Sequence, residues 1–184
     1  MRIRRSASKL FSVSGFAETT INDVASEAGV APQTVYAVYR SKRGVVASVL
    51  EDLEEEADEP ARVAEIIATE DPHRQLRLFV AMNRALFEGR APIVRAALAG
   101  RDDPDVAAFV DQGDQNRRRG TEAITGVWAR GGALRHGVDH DEATQRLWLL
   151  TSPQQYLLAT DKLGWDPDRY EQWLGDLLDH ELLS

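Results

Sequence analysis

The sequence predicts an all-α protein: a small three-helix unit containing a helix-turn-helix, followed by a larger helical domain. Three observations predict this. Apolar residues recur at i, i+3 and i+4 along nearly the whole chain, the spacing of one helical face, and no alternating strand pattern interrupts them. Two short helical stretches flank a single glycine, Gly29, near the N-terminus. Start signals such as Asp166-Pro167 and Asp139-x-x-Glu142, the latter with capping-box spacing, punctuate the rest.

The elements follow in order. Ile3, Ala7, Leu10 and Phe11 form one face of a first helix over 3–14, and Phe16 packs after a turn at Gly15. Thr20 or Asn22 caps a second helix, whose inner face is Ile21, Val24, Ala25 and Ala28. Gly29 ends it, because the residue past a helix end often needs a positive φ, which glycine adopts freely. Val30 plugs the corner. Pro32 starts a third helix, where its missing N–H costs nothing. Val35 and Val38 are its expected buried residues, with Gln33, Thr34, Tyr36 and Tyr39 beside them. Ser41 is a candidate cap for a long connecting helix over 43–59, acidic and solvated in its far half and ended or kinked by Pro60.

Beyond it, helices are expected over 62–69, 72–89, 92–100, 104–131, 139–164 (kinked at Ser152-Pro153) and 167–183. The expected division is a helix-turn-helix domain over 1–44 and a helical domain over 45–184.

Composition narrows the function. The net charge is −8, but residues 1–50 carry seven Lys/Arg against three acids, and residues 51–184 carry 15 against 27. A basic end on an acidic chain is the footprint of a nucleic-acid surface, with the remainder orienting it. No cysteine is present, which excludes disulfides and thiolate sites. No run approaches the ~20 apolar residues of a membrane span, and no leader is visible. The expected location is the bacterial cytoplasm, without membrane association. Ser residues lack a His and Asp context and no phosphate-cradling glycine loop occurs, so no enzyme, catalytic residue or cofactor is expected. His136 and His140 straddle a glycine-containing loop, so a solvated loop is expected there and not a metal site. Arg117, Arg118 and Arg119 read as the exposed face of a long helix.

The second helix of a helix-turn-helix lies in the DNA major groove. Its residues suit that task. Gln33 can reach a base edge, Thr and Tyr hydroxyls donate to phosphates, and Lys42 and Arg43 neutralise them.

The positions of Ala7, Leu10, Phe11, Gly15, Phe16, Thr19, Thr20, Ile21, Val24-Ala25, Ala28-Gly29-Val30, Thr34-x-Tyr36, Tyr39 and Ser41-Lys42 resemble the N-terminal domain of the tetracycline-repressor (TetR) family of transcriptional regulators. The resemblance covers roughly the first 50 residues. It implies double-stranded operator DNA as partner, with Thr20, Pro32, Gln33, Thr34, Tyr36, Tyr39, Lys42 and Arg43 as DNA-binding residues. It also implies a small-molecule effector of unknown identity and, as the family's commoner mode, repression from a palindromic operator. A helical protein-interaction module that retains its helix-turn-helix is the alternative.

The stretch TSPQQYLLATDKLGWDPDRYEQWLGDLL resembles the family's C-terminal dimer helices. Leu147, Leu150, Gln154 and Leu157, with Tyr170, Trp173, Leu174 and Leu177, are the candidate homodimer interface, since two copies can bury both stripes in a four-helix bundle. An effector pocket needs apolar walls and a few inward polar groups. The candidates are Phe79, Met82, Asn83, Phe87, Phe109, Gln112, Asn116, Trp128, Trp148, Thr151 and Gln155. With no buried charge evident, a neutral or aromatic, apolar ligand is expected.

Overall fold

Capping chemistry sets most of the helix boundaries. The computed structural model describes the backbone of residues 2–56, 59–102 and 104–184, and side chains for these except 50–56, 59, 60 and 105. The elements are α1 (Arg2–Glu18), α2 (Ile21–Ala28), α3 (Pro32–Tyr39), α4 (Lys42–Glu56), α5 (Glu59–Ala68), α6 (Pro72–Ala99), α7 (Pro104–Arg130), α8 (His140–Leu150), α9 (Pro153–Leu157), a π-helical turn (Leu158–Lys162) and α10 (Pro167–Leu182). The described residues contain no strand, only an isolated bridge between Leu134 and Leu183.

Two compact units emerge, each drawing on separate stretches of chain. The first comprises Met1–Ala57 with Arg90–Gly113, the second Asp58–Gly89 with Asp114–Ser184. In the first, Ala7, Phe11, Phe16, Val24, Ala25, Val35 and Val45 share one core with Ile93, Ala97 and Val106. The rings of Phe11 and Phe16 lie 4.5 Å apart across the break at Gly15, where φ is 80°. Thr19, itself buried, secures that break by donating its hydroxyl to the Gly15 carbonyl at 2.8 Å.

The second unit is built around Leu76, Phe79, Trp128, Leu147, Tyr170, Leu174 and Leu178, all buried. Several of its interior polar groups are paired, as burial favours. The Trp128 indole N–H donates to Gln75 Oε1 at 2.8 Å, and Gln75 Nε2 donates to the Thr69 carbonyl at 2.6 Å. Thr125 and Thr144 hydroxyls meet at 2.7 Å. The C-terminus is tied down by Arg135 N–H to the Leu182 carbonyl (2.9 Å) and Ser184 N–H to the Ala133 carbonyl (3.2 Å).

Three boundaries differ from expectation. The helices anticipated over 72–89 and 92–100 are one helix, α6, with Pro92 inside. An interior proline costs about 3 kcal/mol, but Ala91, Ile93 and Ala97 around it are buried while Pro92 faces solvent. Burial of the flanking residues holds the helix through.

The helix anticipated over 139–164 breaks instead of kinking. Ser152 adopts an extended conformation (φ −75°, ψ 149°), as a residue before proline prefers, and its hydroxyl accepts the Gln155 N–H to start α9. At its start, the Asp139 carboxylate accepts the Glu142 N–H at 2.9 Å, whereas the Glu142 carboxylate bonds Arg146, so the cap is not a reciprocal box.

Pro60 falls in the first turn of α5, where its missing N–H costs nothing, and not at the end of the preceding helix. The acidic side chains of 51–56 and 58–59 lie outside the described residues.

Candidate nucleic-acid interface

The first unit presents α3 on a rigid base. Thr20 caps α2 in a full capping box: its hydroxyl accepts the Asp23 N–H at 3.2 Å, and its own N–H donates to Asp23 Oδ2 at 2.8 Å. These bonds hold the Asp23 carboxyl below its usual value. Gly29 ends α2 in the left-handed conformation (φ 64°). Lys9 Nζ and Glu27 Oε1, 2.7 Å apart, link α1 to α2 at the surface.

On α3, Val35 is fully buried, whereas Gln33, Thr34 and Tyr36 face solvent. Arg43 is exposed just beyond; Pro32, Tyr39 and Lys42 are half-buried. The expectation that Val38 is buried fails, since it is 60% exposed. Two turns of helix bury only a narrow stripe, and Tyr39, four residues after Val35, takes the second inward place by packing on the core. Val38 is thus an apolar group on the solvent-facing side of α3, the kind of side chain that contacts a thymine methyl. Thr20 also stands differently from expectation. Its hydroxyl proton goes to Asp23 Oδ2 at 2.7 Å, so it serves the cap and is not available to a phosphate.

The connection from α3 to α4 is strained. Arg40 has φ 64° and ψ −35°, the only positive φ on a non-glycine residue among those described. Ser41 N–H donates to the Tyr39 carbonyl at 2.7 Å, closing a tight γ-turn around it. Ser41 then caps α4, its Oγ accepting the Gly44 N–H at 3.1 Å. A side chain in this conformation costs about 1–3 kcal/mol and persists only where its surroundings force it. Arg40 was legible in the sequence as one more basic residue; its backbone was not.

The candidate pocket residues are not gathered in one place. Phe79, Asn83, Phe87, Trp128 and Thr151 are buried in the second unit, with Met82, Trp148 and Gln155 half-buried. Gln112 and Asn116 are exposed, which removes them from an interior wall, and Phe109 packs on the core of the first unit. Asn83 Nδ2 already donates to the Phe79 carbonyl at 2.8 Å.

Of the interface candidates, Leu147, Tyr170 and Leu174 are buried within a single chain and serve its core; Gln154 and Trp173 are exposed, and Leu150, Leu157 and Leu177 half-buried. Two arginine expectations also need correction. Arg118 and Arg119 face solvent, but Arg117 does not: its side chain is 11% exposed, so the second unit holds a charge largely withdrawn from solvent.

The fold and this surface define a helix-turn-helix unit with the outer face of α3 turned to solvent. Residues 3–49 match the bacterial regulatory proteins of the tetR family. That match covers about the first quarter of the chain; over its whole length the chain shares the fold of the structures below.

Solved structures agree on the fold. A transcriptional regulator from Saccharomonospora viridis, in complex with choline, is 21% identical with a TM-score of 0.76, covering 100% of this chain and 96% of that one. The regulator FadR from Bacillus subtilis, in complex with stearoyl-CoA, is 16% identical (TM-score 0.76; 97% and 96% covered). NalD, the secondary repressor of the MexAB-OprM multidrug efflux pump in Pseudomonas aeruginosa, is 21% identical (TM-score 0.76; 99% and 94% covered). No match was found among curated proteins.

Proposed function

We propose that this protein is a homodimeric, effector-responsive transcriptional repressor of the bacterial cytoplasm, each subunit placing α3 in a major groove of a palindromic operator. The observation that carries the reading is the pairing of a capped, fully packed three-helix base with an outward face of Gln33, Thr34, Tyr36 and Val38, flanked by Arg40 and Arg43. Gln33 is the base reader; Thr34, Tyr36, Tyr39, Lys42 and Arg43 position the backbone.

A dimer is supported by Leu149, Leu158, Leu163 and Trp173, which leave apolar surface exposed along α8 to α10. Effector control is supported by two of the structural relatives, solved with choline and with stearoyl-CoA. A ligand bound in the second unit acts by favouring one of two states, and by linkage it and the operator oppose each other.

The test is titration of the purified protein with its own upstream promoter DNA over a salt series. Tight, specific binding at two subunits or a multiple per site, falling steeply with salt, is expected. Weak binding indifferent to sequence, or affinity indifferent to salt, would overturn the reading.

A further inference from the structure

Arg117, in the α7 part of the second unit, is a largely buried cation with an incomplete set of partners. Its Nη1 donates to the Trp148 carbonyl, its Nη2 to Asp114 Oδ1 at 3.3 Å, and its guanidinium lies 4.6 Å above the Trp148 ring. Its Nε is buried and has no acceptor among the described residues. Burial pulls its pKa below the usual value, with Asp114 and Tyr170 acting in the other direction.

A buried guanidinium that served packing alone is expected to be satisfied, because an unpaired buried donor is costly. Here the one carboxylate partner sits one turn earlier on the same helix, binds through one oxygen at long range, and ties no two elements together. Arg117's own link from α7 to α8 is made by the Trp148 carbonyl. Arginine's planar fork matches a carboxylate held by two parallel bonds, a capacity that Asp114 leaves unused. Asp114 can turn to solvent when displaced, since its side chain is 27% exposed.

The surroundings are aromatic. Besides Trp148, Tyr170 is near enough to influence Arg117 electrostatically; Tyr170 packs edge-on to Tyr156 at 5.2 Å, and Tyr156 lies 5.9 Å from Phe87. We infer that Arg117 anchors the effector, and that the effector is an organic carboxylate with an aromatic body. The carboxylate replaces Asp114 and pairs with Nε and Nη2, while the ring packs among Trp148, Tyr170 and Tyr156. This rests on the effector-responsive reading and replaces the neutral ligand expected from sequence.

The test uses the full chain and two readouts, calorimetric binding and release of promoter DNA. The probes are benzoate, phenylacetate and 1-naphthoate, set against 1-naphthalenemethanol and cyclohexanecarboxylate. At least one aromatic carboxylate should bind about tenfold more tightly than both controls. Arg117→Gln should remove that preference, and Arg117→Lys should retain part of it.

Asp114→Asn, which frees the guanidinium, should tighten carboxylate binding, and it keeps the test decisive if Arg117→Gln does not fold. The inference is overturned if the alcohol or the alicyclic acid binds as well as the aromatic acids, if none of the acids binds, or if Asp114→Asn leaves their affinity unchanged. Specific DNA binding that no probe alters, with no calorimetric signal, overturns the inference and leaves the regulator standing. Carboxylate binding without any specific DNA complex overturns the regulator and leaves the site.

Discussion

Gly44 lies directly against the carbonyl of Tyr39: a Cβ on Gly44 would stand 2.0 Å from that oxygen. No side chain fits there without moving the end of α3 or the start of α4. The same carbonyl accepts the Ser41 N–H inside the strained turn at Arg40. Gly44→Ala should therefore destabilise the protein by about 2–3 kcal/mol, at the upper end of overpacking costs. Urea unfolding, read beside specific DNA affinity, checks this, and both should fall together. An unchanged urea midpoint would show that the turn yields freely.

The strain at Arg40 predicts a gain from glycine. Relief of the positive φ, less glycine's greater freedom in the unfolded chain, should stabilise Arg40→Gly by about 0.5 kcal/mol. The lost charge should weaken DNA binding at low salt. Arg40→Lys keeps both strain and charge and should match the parent protein in both measurements.

Two substitutions in the reading surface should separate positioning from readout. Lys42→Ala should weaken binding to all sequences alike and reduce the salt slope by about one. Gln33→Ala should cost about 1–3 kcal/mol of discrimination at one position in each half-site. Binding of a panel of single-base operator variants at several salt concentrations distinguishes them. A uniform loss from Gln33→Ala would remove it as the base reader.

His73 and Asp179 predict a pH dependence of the second unit. His73 Nδ1 lies 2.7 Å from Asp179 Oδ1, joining the start of α6 to α10. That hydrogen bond raises the His73 pKa, with Asp71 adding to it and desolvation opposing. A raised folded-state value means the stabilisation is complete below the ordinary imidazole value, near 6.5, and is lost as pH rises through the folded-state value. The pair is partly exposed, so the effect is small and screened. Thermal melts of the parent should show a shallow loss across that interval which His73→Gln lacks. An identical pH profile for the two proteins would place the dependence elsewhere.

The helix-turn-helix was largely legible in the sequence because its geometry is fixed locally. Thr20, Gly29, Pro32 and Ser41 each act through a bond or dihedral within three residues of themselves, and all four do what their chemistry predicts. The misses depend on what lies across the core. Pro92 sits in a continuous helix because of what Ile93 and Ala97 bury, a fact of tertiary packing. Val38 points outward because Tyr39 occupies the inner position. Arg117 cannot be told from Arg118 and Arg119 by composition; only the place of Trp148, 31 residues on, separates them.

The core that α1 to α4 share also takes in Ile93, Ala97 and Val106, residues that arrive from the middle of the chain. Cut after residue 57, the reading head would expose those contacts as a hole, with Phe16 facing solvent where Gly100 now lies close to it. Transplanting specificity between relatives therefore calls for exchanging the outward residues of α3 in place. A chimera spliced at the helix-turn-helix boundary would inherit a foreign floor, and its folding would depend on how well residues 90–113 of the host match the graft.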